Sequence, residues 1–274
     1  MKNILPIILA TLCAASAVAR AQTIIQNPGN TPSILDKVGI DQNIGDTVSP
    51  DLPFWDEHGN NIRIGDLFTN RPIVLVLVYY QCPMLCTMVL NDLLRTMRAM
   101  PENIGENFDV ITVSFDPRDT PDLALLKKKT YLAQYNRPGA DVGWHFLTGP
   151  QSSITAITRE VGFRYVWDPK FQVYAHASGI IVLTPAGKIS RYFFGIDYAP
   201  KDLRIALASA GNNQTGSIAD AVLLYCFCYD PATGKYGLAI SRLLKTGGVL
   251  TVLAIGGFVL TSLRREKLHP TQGT

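Results

Sequence analysis

The amino-acid sequence predicts an α/β fold in which helices flank a mixed sheet. Apolar runs rich in β-branched residues alternate along the chain with segments that repeat apolar residues at helical spacing. The series ends in two strand-like runs around a short turn and a final helix, so the sheet is expected to combine parallel and antiparallel strands. A chain of 274 residues with 47% hydrophobic composition can bury one substantial core. One main domain with attached segments is therefore expected.

The first half of the domain is predicted to contain several strands and one helix. "LPFWDEHGNNIRIGDLF" predicts two short strands around a glycine-containing turn. "PIVLVLVYY" is apolar throughout, which is typical of a strand covered on both faces. "MVLNDLLRTMRAM" repeats apolar residues at helical spacing and stops before Pro101, which predicts a helix. "FDVITVSFD" predicts a second buried strand.

The second half is predicted to contain three helices and a hairpin. "TPDLALLKKKTYLAQY" predicts a helix with Thr120 as its N-cap and Pro121 at its first position. "SSITAITREVG" predicts a short helix, and "ASGIIVLTPAGKISRYFFG" predicts two strands around a Pro-Ala-Gly turn. "APKDLRIALASA" predicts the closing helix. This order of elements matches a thioredoxin-like fold, which we place at residues 46–210.

The first residues have the pattern of an export signal. Lys2 precedes the apolar run "ILPIILATLCAASAVA", and small-residue cleavage sites end at Ala19 and Ala21. We therefore predict a signal peptide over residues 1–21 and a mature domain outside the cytoplasm. Asn, Gly and Pro are frequent in the residues that follow, so we predict an extended lead-in over residues 22–45.

An uncharged stretch near the other end of the chain predicts a membrane anchor. "GGVLTVLAIGGFVLTSL" is followed by "RREK", and basic residues flank it on both sides. A buried core helix is the alternative interpretation. We predict a juxtamembrane linker over residues 211–237, a single transmembrane helix over residues 238–263 and a cytoplasmic tail over residues 264–274. The expected location is the cell membrane, with a single pass and the main domain on the periplasmic side.

The charge distribution argues against a nucleic-acid partner. The formal net charge is only +3, and the longest run of basic residues is "KKK" at positions 127–129. We interpret this triplet as a solvated face of a helix.

Four cysteines follow the predicted signal peptide, which itself contains Cys13, and they form two local pairs. Cys82 and Cys86 follow the apolar strand, whereas Cys226 and Cys228 lie in the predicted linker. Such close pairs are poor at closing large loops. They more often serve redox or metal chemistry.

The junction between the predicted strand and helix gives Cys82 and Cys86 different expected properties. Cys82 lies near the N-cap and Pro83 near the first helical position, where free N–H groups and the helix dipole favour a thiolate. Cys82 is therefore predicted to be the more acidic thiol. Cys86 follows one helical turn later, so both sulfurs can face the same side. The spacing suits a disulfide and equally suits two ligands of one soft metal ion, and two structural core cysteines are the third interpretation.

A histidine is the natural third ligand at such a site. Two thiolates favour Cu(I) or Zn, and a further ligand such as imidazole is needed to hold Cu(II). His176 precedes a predicted strand, in a loop that a thioredoxin-like architecture brings toward the cysteines, although alone it would be an ordinary loop histidine. His58 is expected in a solvated turn, His145 among packed aromatic residues and His269 in the tail.

Several motifs together resemble the Sco/SenC family: "YYQCPMLC", "VSFDPRDTP", "FLTG" and a histidine ahead of "GIIVLTPAGKISRYFFG". That family consists of thioredoxin-like copper-binding proteins that assist the assembly of cytochrome c oxidase. The resemblance covers residues 46–210 and implies that Cys82, Cys86 and His176 bind copper as Cu(I) or Cu(II). It also implies three partners: the copper-bearing subunit of the oxidase, other copper chaperones, and thioredoxin-like reductants.

The chain departs from the family pattern in two residues and in its anchor. Met84 stands where members commonly have an acidic residue, and Thr87 where they commonly have a proline. The thioether of Met84 can serve as a Cu(I) ligand, but the expectation is a methionine that is exposed or fills a gap in the packing. The predicted anchor is C-terminal, whereas better-known members carry an N-terminal one.

Two functions remain open at this point. The first is a copper metallochaperone that delivers copper to the binuclear copper centre of a terminal oxidase. The second is a thiol-disulfide reductase that keeps the oxidase cysteines reduced, with Cys82 and Cys86 as its catalytic pair. A thiol peroxidase is disfavoured, because the T-x2-C motif of peroxiredoxins is missing ahead of Cys82.

Two further groups of residues have open roles. Asp116 and Asp119 in "DPRDTP" either contact a partner, orient the site or cap the following helix, and capping is the prediction for Asp119. Cys226 and Cys228 are predicted to form a secondary copper contact or a docking element for a partner. Packing next to the membrane is the alternative for this pair.

Overall fold

A five-stranded mixed sheet forms the centre of the computed structural model. Its strands lie side by side in the order β10 (Ile189–Phe194), β9 (Gly179–Leu183), β4 (Ile73–Val78), β5 (Asp109–Ser114) and β6 (Trp144–Leu147). Strands β4, β5 and β6 are parallel, whereas β9 pairs antiparallel with both β4 and β10. The predicted mixed sheet is therefore confirmed. The structure describes residues 37–82, 85–215, 229–230, 235–236, 248–249, 251–252, 255–256 and 259.

Strands β4 and β5 lie side by side in the interior of the sheet. Every residue of β4 and of β5 is buried. A strand buried on both faces gains from apolar side chains at all its positions, which explains the unbroken run in β4. Within this sheet, the predicted strands correspond to β4, β5, β9 and β10, while β6 was not predicted.

Helices connect the strands and cover the sheet. They are α1 (Leu85–Ala99), α2 (Pro121–Tyr135), α3 (Ala140–Gly143), α4 (Gln151–Glu160) and α5 (Pro200–Gly211), with a 3-10 helix at Ile64–Leu67. Helix α1 packs against both α2 and α5. Helix α2 begins as predicted: the Thr120 side chain accepts a hydrogen bond from the Leu123 N–H, and Pro121 occupies the first turn.

A second, three-stranded sheet lies beside the central one. It consists of β1 (Gly39–Ile40), β7 (Phe163–Asp168) and β8 (Val173–His176), all antiparallel. Strand β1 comes from the predicted lead-in, and helix α4 contacts β7. The sequence analysis did not predict this sheet, because β7 and β8 are mostly half-buried and show no clear alternation of apolar and polar residues.

Two small antiparallel pairs complete the described strands. The pair β2 (Pro53–Trp55) and β3 (Asn61–Arg63) is the hairpin that the sequence predicts. The other pair consists of β11 (Tyr229–Asp230) and β12 (Lys235–Tyr236). A single bridge between Trp55 and Thr148 attaches the first hairpin next to β6.

The basic triplet on α2 is not a uniformly solvated face, so this prediction was wrong for its middle residue. Lys128 is buried, and its ammonium group forms an ion pair with the buried carboxylate of Glu57. The second oxygen of Glu57 accepts a hydrogen bond from the Phe146 N–H at 3.1 Å. A buried charge needs such a partner, and Glu57 lies 71 residues away in the chain, so the local sequence did not reveal it.

The predictions for the two ends of the chain concern mainly residues that the structure does not describe. The signal peptide at 1–21 and the tail at 264–274 lie outside the described residues, as does most of the predicted helix at 238–263. Among the residues that the structure describes, no helix combines the length and the apolar character needed to cross a membrane.

Candidate metal centre

The strand-to-helix junction places the two cysteines in one compact turn. Beyond the end of β4, the Cys82 N–H donates to the Tyr79 carbonyl at 3.2 Å. Helix α1 then begins at Leu85, and the Cys86 N–H donates to the Cys82 sulfur at 3.3 Å. No disulfide joins the two cysteines; Cys82 is half-buried and Cys86 is buried. The prediction that one helical turn brings the sulfurs together is confirmed.

The imidazole of His176 closes the site from the second sheet. Its Nε2 atom lies 3.3 Å from the Cys86 sulfur, although 90 residues separate the two in the chain. The Nδ1 atom lies 2.7 Å from the Ala177 carbonyl oxygen, which can only accept, so Nδ1 carries the proton. His176 is the last residue of β8 rather than a loop residue as predicted. The expected approach of this segment to the cysteines is nevertheless present.

The two sulfurs have different electrostatic surroundings. Burial raises the pKa of Cys86 far above that of an ordinary thiol, and the neighbouring Cys82 raises it further. The Tyr79 N–H donates to the Cys86 sulfur at 3.4 Å, which opposes this shift only in part. Cys86 is therefore a protonated thiol at neutral pH in the metal-free protein. That Cys82 is the more acidic thiol of the pair stays a prediction.

Aromatic side chains surround the imidazole. The ring centroids of Tyr79, Phe115 and Phe163 lie 5.9, 5.2 and 6.1 Å from that of His176. Tyr174 packs edge-on against both Tyr79 and Phe115. These rings restrict the orientation of the imidazole and limit the access of water to it. The sequence analysis missed them as site residues, although Tyr79 and Phe115 directly follow strands β4 and β5.

Asp119 does not cap helix α2, so that prediction was wrong. The cap is Thr120, and one oxygen of the buried Asp119 carboxylate accepts hydrogen bonds from the Tyr80 N–H and the Ser114 hydroxyl, both at 2.6 Å. Burial is the main cause that raises the pKa of Asp119. Asp119 therefore ties the segment just before Cys82 to the end of β5. Orienting the site was the alternative interpretation, and this contact supports it.

Asp116 has a different environment from Asp119. Its carboxylate forms a bidentate pair with Arg118, with a shortest distance of 2.7 Å. The guanidinium carbon of Arg118 lies 4.7 Å from the centre of the Trp167 ring and 5.6 Å from that of Tyr174. This contact connects the start of α2 with the hairpin that carries His176.

The two other histidines that the structure describes are not part of this group. His145 lies on β6, where burial lowers its pKa, in agreement with the prediction of a packed core histidine. The side chain of His58 is 63% exposed, as expected for a solvated turn. Met84, Cys226, Cys228 and His269 lie outside the described residues, so the hypotheses about them remain predictions.

The arrangement fits a soft or borderline metal ion. One donor atom from each of Cys82, Cys86 and His176 lies within 4.8 Å of the other two. Thiolates select ions such as Cu(I) and Zn(II), and imidazole is a good ligand for copper and zinc. A histidine that binds a metal usually donates its second N–H to a carbonyl or carboxylate, and His176 does so. The same two thiols are also close enough in sequence and space for disulfide chemistry.

The SCO1/SenC family profile matches residues 41–209, which is more than half of the chain. The chain belongs to the SCO1/SenC family. A comparison with curated proteins finds no match.

Solved structures agree with the SCO1/SenC assignment at the level of the fold. A candidate electron transfer protein from Aquifex aeolicus VF5 is 25% identical, with a TM-score of 0.55 over 63% of this chain and 96% of that one. A candidate electron transport protein from the same organism is 24% identical, with a TM-score of 0.51 over 63% and 100% of the two chains. Arabidopsis thaliana ScoI, in a crystal structure with copper bound, is 17% identical, with a TM-score of 0.50 over 61% and 99%.

Proposed function

We propose that this protein binds copper through Cys82, Cys86 and His176 and delivers it to the binuclear copper centre of a cytochrome c oxidase during assembly. The observation that carries the proposal is the convergence of two thiols and one imidazole within 4.8 Å. Membership of the SCO1/SenC family and the copper in Arabidopsis thaliana ScoI support the choice of metal. The partners in this proposal are the copper-bearing oxidase subunit, a copper chaperone as donor, and a thioredoxin-like reductant.

The three donors suit copper in both oxidation states. Two thiolates hold Cu(I) well, because this soft ion accepts low coordination numbers. Cu(II) prefers additional nitrogen or oxygen donors, and the Nε2 lone pair of His176 provides one. Loading the site must displace the proton of the buried Cys86 thiol, so copper uptake releases a proton.

The unequal burial of the cysteines indicates the side from which copper enters and leaves the site. Cys82 is half-buried whereas Cys86 is buried, so an incoming donor or client can reach the metal from the side of Cys82. A ligand from the client would displace Cys82 first, while Cys86 and His176 still hold the ion.

A thiol-disulfide reductase is the second candidate function. The observation that favours it is the same pair of thiols, which no disulfide joins and of which one is half-buried and one buried. In such a reductase the Cys82 thiolate attacks the client disulfide, forms a mixed disulfide and releases one client thiol. Cys86 then attacks the Cys82 sulfur, which releases the second client thiol and leaves a Cys82–Cys86 disulfide. This reaction does not require His176.

Substitution of His176 distinguishes the two candidate functions, because only copper binding requires its imidazole. We expect His176→Ala in the full-length protein to abolish stable Cu(II) binding, to weaken Cu(I) binding less, and to leave disulfide exchange in vitro largely intact. In cells, this variant should fail to mature the oxidase copper centre under limiting copper. His145→Ala is the matched control, since it removes a half-buried histidine outside the site. Active oxidase at limiting copper in cells that carry His176→Ala would favour the reductase.

We also propose that the domain lies on the periplasmic side of the cell membrane, anchored by residues 238–263. The signal-like start and the basic residues after Leu263 support this orientation. Described helical residues of the segment expose apolar side chains at Val249, Val252 and Ile255. A reporter that works only outside the cytoplasm should be active when fused after Ala210 and inactive when fused after His269. The opposite pattern would refute this topology.

A further inference from the structure

The loop between β5 and α2, residues 115–120, contacts both halves of the candidate metal site. Through Asp119 it accepts a hydrogen bond from the Tyr80 N–H, in the segment that leads to the cysteines. Through Arg118 it contacts the hairpin of β7 and β8, whose last residue is His176. The first contact concerns the two thiols, whereas the second concerns the imidazole.

A buried carboxylate holds the guanidinium group of Arg118 in one orientation. The Nε atom of Arg118 lies 2.8 Å from one carboxylate oxygen of Asp116, and Nη2 lies 2.7 Å from the other. The Arg118 backbone N–H also donates to this carboxylate, at 3.0 Å. A planar guanidinium that is bound through two of its nitrogens has a fixed plane. The direction in which its flat face points is therefore fixed as well.

That face covers two aromatic rings of the hairpin. Trp167 and Tyr174 lie directly opposite each other on β7 and β8, with ring centroids 4.9 Å apart. The guanidinium carbon of Arg118 lies 4.7 Å from the centre of the first ring and 5.6 Å from that of the second. A cation over an aromatic ring is attracted to it. Arg118 therefore attaches the hairpin to the loop through a contact that does not involve the metal ligands.

Strand geometry connects this contact with the imidazole. Tyr174 and His176 are two residues apart on β8, so their side chains lie on the same face of the strand. The rings of Tyr79 and Phe115 lie 5.4 and 5.7 Å from that of Tyr174, and 5.9 and 5.2 Å from that of His176. The hydrogen bond between His176 and its neighbour Ala177 is local, so it does not attach the hairpin to the core. The docking of this one face therefore decides whether the imidazole stays beside the cysteines.

We propose that Arg118 is a positioning residue of the metal site, which holds the β7–β8 hairpin against the β5–α2 loop and thereby keeps His176 beside the cysteines. Without this contact the hairpin undocks more often, and the imidazole leaves while the two thiols stay. Bound Cu(II) needs the imidazole more than Cu(I) does. Arg118 therefore slows the loss of Cu(II) more than the loss of Cu(I). The effect on copper rests on the proposed function, whereas the effect on the hairpin does not require a metal.

The chain offers a matched control at the opposite end of β5. Arg71 also pairs with a buried carboxylate, that of Asp109, with a shortest distance of 3.0 Å. Asp109 is the first residue of β5, and Asp116 lies two residues beyond its last. Arg71→Gln and Arg118→Gln therefore remove the same kind of ion pair from the two ends of one strand. The second variant also removes the cation over the hairpin.

The first measurement is amide hydrogen exchange of the full-length, metal-free protein. A two-stranded hairpin that has left the core is marginally stable in water, so undocking exposes its amides to exchange. For Arg118→Gln we expect exchange in β8 to be about tenfold faster than in the wild type, the effect of one partly desolvated cation–π contact. Arg71→Gln should leave exchange in β8 within about twofold of the wild type. Equal rates in the two variants would overturn the inference.

The second measurement concerns the metal. The full-length wild type and both variants are loaded with one copper per chain, and EDTA removes the Cu(II) while bathocuproine disulfonate removes the Cu(I). Residues that orient metal ligands typically change metal affinity about 10–100-fold. We expect Arg118→Gln to lose Cu(II) about tenfold faster and Cu(I) with a smaller change, and Arg71→Gln to resemble the wild type. Equal acceleration for both ions would refute the role of Arg118 in holding the imidazole.

The outcomes distinguish this inference from the proposed function. If the wild type binds no copper, the proposed function fails, while hydrogen exchange still tests the contact between Arg118 and the hairpin. If Arg118→Gln does not fold, Trp167→Leu provides the test, because it removes the ring beneath the guanidinium and leaves the pair of Arg118 and Asp116 in place. Exchange in β8 should again be about tenfold faster, and an unchanged rate would overturn the inference.

Discussion

The sulfur of Cys86 and the Nε2 atom of His176 lie 3.3 Å apart, with the thiol protonated and the imidazole lone pair facing it. The thiol can therefore donate a hydrogen bond to the imidazole in the metal-free protein. Any process that ionises Cys86, whether metal uptake or alkaline pH, must break this contact. The consequence can be measured without copper.

The raised pKa of Cys86 predicts that the metal-free fold loses stability at alkaline pH. An unfolded thiol ionises near pH 8.5, whereas the folded thiol keeps its proton to higher pH. The stabilising contribution is therefore complete below about pH 8 and is lost as the pH rises further, by up to about 1.4 kcal/mol per pH unit. Urea unfolding of the reduced protein at pH 7.0 and at about pH 9.5 should show a loss of about 1.4 kcal/mol that Cys86→Ser does not show. Equal losses in both proteins would contradict this prediction.

The contact between Asp119 and the cysteine loop predicts a large effect of its removal. Asp119→Ala leaves the buried Tyr80 N–H and Ser114 hydroxyl without their shared acceptor, so we expect the free energy of unfolding to fall by about 2–3 kcal/mol. Amide hydrogen exchange at Tyr80 should also become faster. Asp122→Ala is the control, because this exposed carboxylate in the first turn of α2 contributes only about 0.3–1 kcal/mol through the helix dipole. Similar losses in both variants would argue against the contact.

Because Lys128 forms an ion pair with buried Glu57, we expect its replacement to destabilise the protein far more than replacement of its neighbour in the basic triplet. Lys128→Met leaves the Glu57 carboxylate buried without a cation, which should cost about 3–5 kcal/mol in chemical unfolding. Lys129→Met changes an exposed neighbour and should stay within about 0.5 kcal/mol of the wild type. The double variant Glu57→Leu with Lys128→Met should recover part of the loss, because no unpaired charge remains. A solvated triplet would instead give small, equal effects.

Gly162 and Gly59 have similar backbone conformations, but we expect replacement by alanine to destabilise the protein more at Gly162. Gly162 and Gly59 both have positive φ, at 67° and 81°. A Cβ atom at Gly162 would lie 2.0 Å from the Asp41 carbonyl oxygen, whereas at Gly59 it would meet nothing within 4 Å. We expect Gly59→Ala to cost about 1 kcal/mol from conformation alone and Gly162→Ala more than about 2 kcal/mol. Equal unfolding temperatures of the two variants would contradict the close approach of the Asp41 backbone, directly after β1, to Gly162.

The sequence predicted those parts of the fold whose signals are local. The apolar run of β4, the helical spacing of α1 and the Thr120–Pro121 start of α2 depend on neighbouring residues, and all three are confirmed. The hairpin of β7 and β8 was missed, because its half-buried aromatic residues acquire their pattern only by packing on Phe115. Local patterns carry no information about such long-range contacts.

The candidate site was predictable for a related reason. Cys82 and Cys86 are one turn apart, so their spacing alone indicates that their sulfurs converge. His176 was chosen through the expected architecture, and the structure brings it to the cysteines. The roles of Asp119 and Lys128 could not be predicted, because their partners Tyr80 and Glu57 are 39 and 71 residues distant in the chain.

The origin of the three donors in two distant parts of the chain also bears on when a folding chain can hold its metal. The thiols meet as soon as the first turn of α1 forms, which is a local event. The imidazole arrives only after the β7–β8 hairpin has docked beside the central sheet, a step that must first close a long loop. A partly folded chain therefore offers thiols alone. The complete ligand set exists only in the native state, so all three donors can hold one ion only after folding is finished.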